Sequence, residues 1–94
     1  MIKAVIVYDI DNNERRKQVY KILQRVGVSV QKSVFEITDT LANIQMVREQ
    51  LNNIVDTSTD SIIIYNLGDI SNNSIIRIPE EKINTYYDKG YIIL

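Results

Sequence analysis

Ninety-four residues, 45% hydrophobic and 24% charged, make one soluble globular domain with room for a single core, modest enough in stability that a homo-oligomer would help. The absence of Cys and His excludes disulfides, ordinary zinc sites and every Cys- or His-based catalytic centre; three Gly leave no phosphate loop to write, and no apolar run reaches the roughly 20 residues of a bilayer span. The formal net charge of −1 hides a gradient: residues 1–36 hold seven basic against four acidic side chains, net +3, and residues 37–94 hold net −4, so a polyanion would meet the first third of the chain.

Residues 2–10, Ile-Lys-Ala-Val-Ile-Val-Tyr-Asp-Ile, are β-branched and aromatic and predict a buried central strand. No charged stretch or cleavage site precedes this run, and the expectation is a cytoplasmic protein. Asp9 stands at the carboxyl end of the strand and shares a face with Val5 and Val7 by the period of two. Asp11 is placed to cap a helix, with Glu14 three residues later as its capping-box partner. The helix runs to about Val26, and Gly27 takes the C′ position. Val19, Ile22, Leu23 and Val26 form its core stripe, while Lys17, Lys21 and Arg25 form a separate exposed row. Arg15 extends the apolar stripe at the helix start and Arg16 flanks it, so both come close to Asp9. Residues 28–31 and 33–37 read as two short strands around a bulge or tight reversal at Gln31-Lys32-Ser33. Thr38-Asp39-Thr40 caps a second helix whose apolar face is Leu41, Ile44, Val47, Leu51, Ile54 and Val55. A polar loop, 56–60, leads to another buried strand at Ile62-Ile63-Ile64-Tyr65, ended by Asn66-Leu67-Gly68.

The order β-α-β-β-α-β predicts an α+β, ferredoxin-like domain: an antiparallel sheet with both helices on one face. The other face is left bare and apolar, which calls for a partner. Residues 75–78 predict a short C-terminal strand that Pro79 stops at an edge position. The domain is therefore expected over 1–78, with 79–94 a tail, apolar at its end, packed on its own or a second subunit.

Asp9 is the most suggestive residue for chemistry. A carboxylate at the end of a central strand, beside Tyr8, is placed to hold a hard cation; the other reading is a turn or cap aspartate. One carboxylate makes a poor site, because Mg²⁺ usually takes one or two carboxylates together with waters and substrate phosphates. A two-fold axis would supply the second by bringing Asp9 of one chain opposite Asp9 of another. Such an ion would activate water and neutralise phosphate charge. Without His, proton transfer falls to metal-bound water or a carboxylate. Arg15 and Arg16 have the fork geometry of phosphate clamps, or else pair with Glu14 or a neighbouring acid. Tyr8 and Phe35 are strand aromatics that either stack bases or pack in the core. Ser33 either donates to a phosphate or fills the bulge.

The segments Val7-Tyr8-Asp9-Ile10, Arg15-Arg16-Lys17, Leu23-Gln24-Arg25-Val26-Gly27, Val30-Gln31-Lys32-Ser33-Val34-Phe35-Glu36 and Asp60-Ser61-Ile62-Ile63-Ile64-Tyr65 together closely resemble the CRISPR-associated Cas-two proteins. The resemblance covers about residues 1–67. It implies a ferredoxin-like homodimer and an endonuclease dependent on Mg²⁺ or another divalent cation, acting on single-stranded RNA or double-stranded DNA. It also implies a role as the central dimer that holds DNA for the Cas-one integrase during spacer acquisition. By position, Asp9 matches the family's metal-binding, catalytic aspartate. Arg15, Arg16 and Lys17 match the basic, nucleic-acid-binding helix start, and Phe35 matches the aromatic of the third strand, with Tyr8 and Ser33 in support. Residues 75–78 match a C-terminal strand that adds to the partner's sheet, carrying Arg77 as a further nucleic-acid contact. Gln18 and Ser29 depart from members with further basic residues in those neighbourhoods. A non-catalytic DNA-holding scaffold and a stand-alone RNase toxin are the alternative functions on this fold.

Overall fold

In a computed structural model of the chain, which describes residues 1–69 and 75–79, the elements are β1 (Ile2–Asp9), α1 (Asn13–Val26), β2 (Gly27–Gln31), β3 (Val34–Asp39), α2 (Leu41–Ile54) and β4 (Ser61–Asp69). The strands form one antiparallel sheet in the order β2-β3-β1-β4. This is the ferredoxin-like α+β arrangement that the element order predicts.

Strand β1 is central because it pairs on both sides: Ile6 lies opposite Phe35 of β3 and Ile64 of β4. Alternation along it sorts the two faces. Ala4, Ile6 and Tyr8 are buried with Phe35 and Ile37 of β3, and they meet Val19, Tyr20 and Leu23 of α1 and Ile44, Val47 and Leu51 of α2. Full burial of a side chain such as Leu23 stabilises the fold by roughly 1.5–3 kcal/mol. Val5, Val7 and Asp9 point to the opposite, open face. There Val5 pairs with Tyr65 and Val7 with Ile63, and Ile63 and Tyr65 remain 46% and 52% exposed.

The ends of α1 differ from the sequence reading for local reasons. Asn12, not Asp11, is the N-cap: its backbone is extended and its side chain accepts from the Arg15 amide at 3.0 Å. The Asp11 amide is engaged instead by Asp60 Oδ1 at 3.0 Å. With the helix opening at Asn13, Glu14 is one position too early for a capping box and faces Lys17 across 3.9 Å. Gly27 is not a left-handed C′ residue; its backbone is extended (φ −151°, ψ −169°) and it opens β2. Its requirement is space, since a Cβ there would collide with the Glu36 carbonyl oxygen and lie 2.9 Å from Ile37 Cγ1.

Strands β2 and β3 are joined by a turn at Lys32-Ser33, where Ser33 takes the left-handed region (φ 62°). The Ser33 carbonyl accepts from the Tyr8 amide at 3.1 Å, which ties the turn to the end of β1. Of the predicted capping segment Thr38-Asp39-Thr40, Thr40 is the N-cap of α2, with Asn43 N donating to its hydroxyl at 3.2 Å, while Thr38 and Asp39 end β3. Strand β4 runs on past Tyr65 to Asp69, beyond its predicted end at Asn66-Leu67-Gly68. Residues 75–77 have no regular secondary structure and 78–79 form a bend, so the predicted C-terminal strand is not formed in the single chain. The tail from 80 to 94 lies outside the described residues. Among the described residues no helix is long and apolar enough to cross a membrane.

Candidate metal and nucleic-acid site

Asp9 ends β1 on the solvent-exposed rim of the sheet, opposite Ser61 at the start of β4. Among the described residues its carboxylate takes part in no hydrogen bond or ion pair, and no group of three or more acids gathers there or elsewhere. It lies on the open face, in line with Val5 and Val7. The side chain is therefore an available hard-oxygen donor at the edge of an apolar surface.

The basic start of α1 divides into unlike parts. The Arg15 guanidinium forks onto Asp60, with Nε donating to Oδ2 at 2.8 Å and Nη2 to Oδ1 at 3.2 Å. The Asp60 side chain is covered by its partners, and Arg15 holds its carboxyl well below the usual carboxylate range, with backbone donors of Asp11 and Asp56 assisting. Arg16 has neutral partners instead. Its Nε and Nη2 donate to the Ile10 carbonyl at 3.3 and 3.1 Å, and Nη1 donates to Asn13 Oδ1 at 2.7 Å. Among the described residues its charge thus meets no acid. Lys17 is well exposed and only loosely opposed by Glu14.

The aromatic candidates belong to the core. Phe35 is 1% exposed and is held between Tyr8, offset-stacked at 6.3 Å, and Tyr20, edge-on at 5.4 Å. It has no face to offer a base. Tyr8 is buried, and among the described residues its hydroxyl has Ser33 nearby but no hydrogen bond of good geometry. Burial, with Tyr20 adding to it, pushes its phenol up to about 12 despite Ser33 and Arg16.

Arg77 is also spoken for. It forms a bidentate pair with Glu36, Nη1 to Oε2 at 2.8 Å and Nη2 to Oε1 at 2.5 Å, and Lys3 approaches the same carboxylate at 3.5 Å. Glu36 lies on the open face opposite Val5, so this pair seats residues 75–79 against the β2–β3 half of that face. A cavity of about 280 Å³ remains between Ile76, Arg77, Ile78 and Pro79 and the strand residues Val30, Gln31 and Glu36. Two of the predicted phosphate ligands, Arg15 and Arg77, are thereby paired with acids, and a third predicted contact, Phe35, is buried. Asp9, at the end of β1, and Arg16, on the carbonyl of the next residue, Ile10, are in no ion pair among the described residues. Sequence reasoning missed Asp60 and Glu36. Topology held a signal for Asp60, since the start of β4 must lie beside the end of antiparallel β1. Glu36 was visible only as an acid inside an apolar strand.

A ferredoxin-like sheet with its charged side chains at strand ends and loops, and with apolar residues exposed on one face, defines a small α+β domain. The family model for CRISPR associated protein Cas2 matches residues 1–75, and the chain belongs to that family. It is 40% identical over 68 residues to CRISPR-associated endoribonuclease Cas2 3 of Chloroflexus aurantiacus, covering 72% of this chain and 73% of that protein. It is 38% identical over 79 residues to CRISPR-associated endoribonuclease Cas2 of Pyrococcus furiosus, covering 84% and 92%. Among solved structures, Streptococcus pyogenes Cas2 matches with a TM-score of 0.67 at 30% identity, covering 80% of this chain and 98% of that one.

Proposed function

We propose that two copies of this chain pair through their open sheet faces and act on nucleic acid in CRISPR spacer acquisition, as a divalent-metal-dependent endonuclease and as the dimer that presents DNA to the Cas1 integrase. One observation carries the reading: Asp9 shares its face with Val5, Val7, Ile63 and Tyr65. A second copy that covers these apolar residues across a two-fold axis draws the two Asp9 carboxylates toward one another.

The donor set fits Mg²⁺ only on those terms. One chain offers a single carboxylate, and no acidic cluster exists among the described residues; two chains offer the one-or-two-carboxylate, water-rich setting that Mg²⁺ takes beside phosphates. When bound, Mg²⁺ supplies charge neutralisation at the phosphate and a more acidic water. The rest falls to the chain. The Asp9 carboxylates hold the cation. Arg16, whose partners among the described residues are neutral, turns its fork to a phosphate oxygen, and Lys17 adds a mobile charge at the rim. Tyr8, its phenol near 12, stays protonated at neutral pH and supplies no base. Asp9→Asn tests this directly. The variant should bind RNA and duplex DNA as before and lose Mg²⁺-dependent cleavage by at least a hundredfold, in the range expected when a group acting in the transition state is removed. Cleavage at the full rate would overturn it.

A second reading is favoured by the exposed row Lys17, Lys21 and Arg25: a scaffold that holds DNA without cutting it. Integration that proceeds normally with Asp9→Asn, alongside steeply salt-dependent binding, would select that reading.

A further inference from the structure

The Asp60 carboxylate, in a loop of exposed residues, has its own surface covered by the groups bonded to it and ties three segments together. Oδ1 accepts from the Asp11 amide at 3.0 Å, Thr59 Oγ1 at 3.1 Å and Arg15 Nη2 at 3.2 Å. Oδ2 accepts from Arg15 Nε at 2.8 Å and the Asp56 amide at 2.9 Å. The β1–α1 loop, the first turn of α1 and the α2–β4 loop thus converge on one side chain. Arg15 and Arg16 are neighbours in sequence, yet only Arg15 meets this acid.

We infer that Asp60 is a positioning residue that withholds Arg15 from the phosphate backbone, leaving Arg16 as the guanidinium that meets nucleic acid at the start of α1. The inference rests on the nucleic-acid reading above. Were Arg15 to leave for a phosphate, the two charge-assisted hydrogen bonds of its fork on Asp60 would be given up, and an acid would be left unpaired beside the polyanion. An exposed phosphate contact returns only a screened gain. While Arg15 stays, the pair is neutral as a unit, so it displaces no counterion from a polyanion. Arg16, bonded to a carbonyl and an amide oxygen, keeps its full charge for that purpose. The basic motif at the helix start then contains one strut and one ligand.

The test is the salt dependence of duplex DNA binding by the full chain and its variants, each checked for folding by circular dichroism. The slope of log affinity against log salt changes by about 0.9 for each phosphate contact made or lost. Arg15→Gln should leave the slope unchanged and Arg16→Gln should reduce it by about 0.9 per side chain removed. Asp60→Asn should raise it by a similar amount by freeing Arg15, and the double variant Asp60→Asn/Arg15→Gln should return it to the wild-type value. A purely structural role would not produce a gain that depends on Arg15. The inference is overturned if Arg15→Gln lowers the slope as Arg16→Gln does, or if folded Asp60→Asn leaves it unchanged. Should either single variant at this pair fail to fold, the double variant Asp60→Asn/Arg15→Gln, which removes acid and base together, still decides: it should keep the wild-type slope where Arg16→Gln lowers it. A wild-type chain without salt-dependent binding would remove the nucleic-acid reading together with the inference; binding with an Arg15-dependent slope would remove the inference alone.

Discussion

Glu36 is an acid in the middle of an apolar strand, with its side chain 10% exposed. Burial pushes its carboxyl up, but the hydrogen bonds and charge of Arg77, with Lys3 adding to them, outweigh that and leave it below its ordinary value. A depressed folded-state value means stabilisation that is present above the unfolded value, roughly 4.3, and is lost as pH falls through the folded one. Glu36→Gln should therefore cost roughly 1–3 kcal/mol at neutral pH, and its melting temperature should converge with that of the wild type in acid. Thermal melts across a pH series check this; a gap that stays constant into acid would contradict it. Asp9 could be placed from sequence because alternation along one strand was enough. The partners of Arg15 and Arg77 could not, because Asp60 and Glu36 lie 45 and 41 residues away along the chain, and local pattern carries no information about which acid a distant turn will deliver.

Both helices were legible from a 3.6 period of apolar residues, and β1–β4 from short runs of β-branched and aromatic residues bounded by polar turns. The errors fall where a tertiary contact outbids a local rule. Asp11 has the chemistry of a cap, but its amide belongs to Asp60 and the cap passes to Asn12. Asn12→Ala should cost about 1 kcal/mol, read from denaturant midpoints, and Asp11→Ala much less. Gly27 sits just past the last helical turn, where a left-handed residue is common, yet the constraint is the Glu36 carbonyl across the β2–β3 ladder. Gly27→Ala should destabilise by about 1–3 kcal/mol through overpacking. Leu23→Ala, at the centre of the core, should cost about 2–5 kcal/mol. Residues 75–78 have strand-forming side chains but no strand structure at 75–77. Strand propensity reflects fit to a neighbouring pleated surface, and the sequence does not say which edge would supply it.

At the scale of the whole molecule, the sheet is covered on one face by α1 and α2, while on the other Ile63, Tyr65 and Leu67 stay open to solvent. That asymmetry follows from the β-α-β-β-α-β order, which sends both helices to the same side. In the function proposed above a second copy covers it and brings two Asp9 carboxylates together as a cation seat. Tyr65→Asp on this face should shift the chain from dimer to monomer in sedimentation equilibrium and abolish metal-dependent cleavage while leaving the helical circular dichroism intact. The most direct measurement is a crystal grown with Mn²⁺ in place of Mg²⁺ and read by anomalous scattering. The expected result is one peak on the dimer axis, between the Asp9 carboxylates of two protomers, absent in Asp9→Asn. A dimer whose Asp9 side chains face separate solvent, with no peak between them, would contradict the shared site.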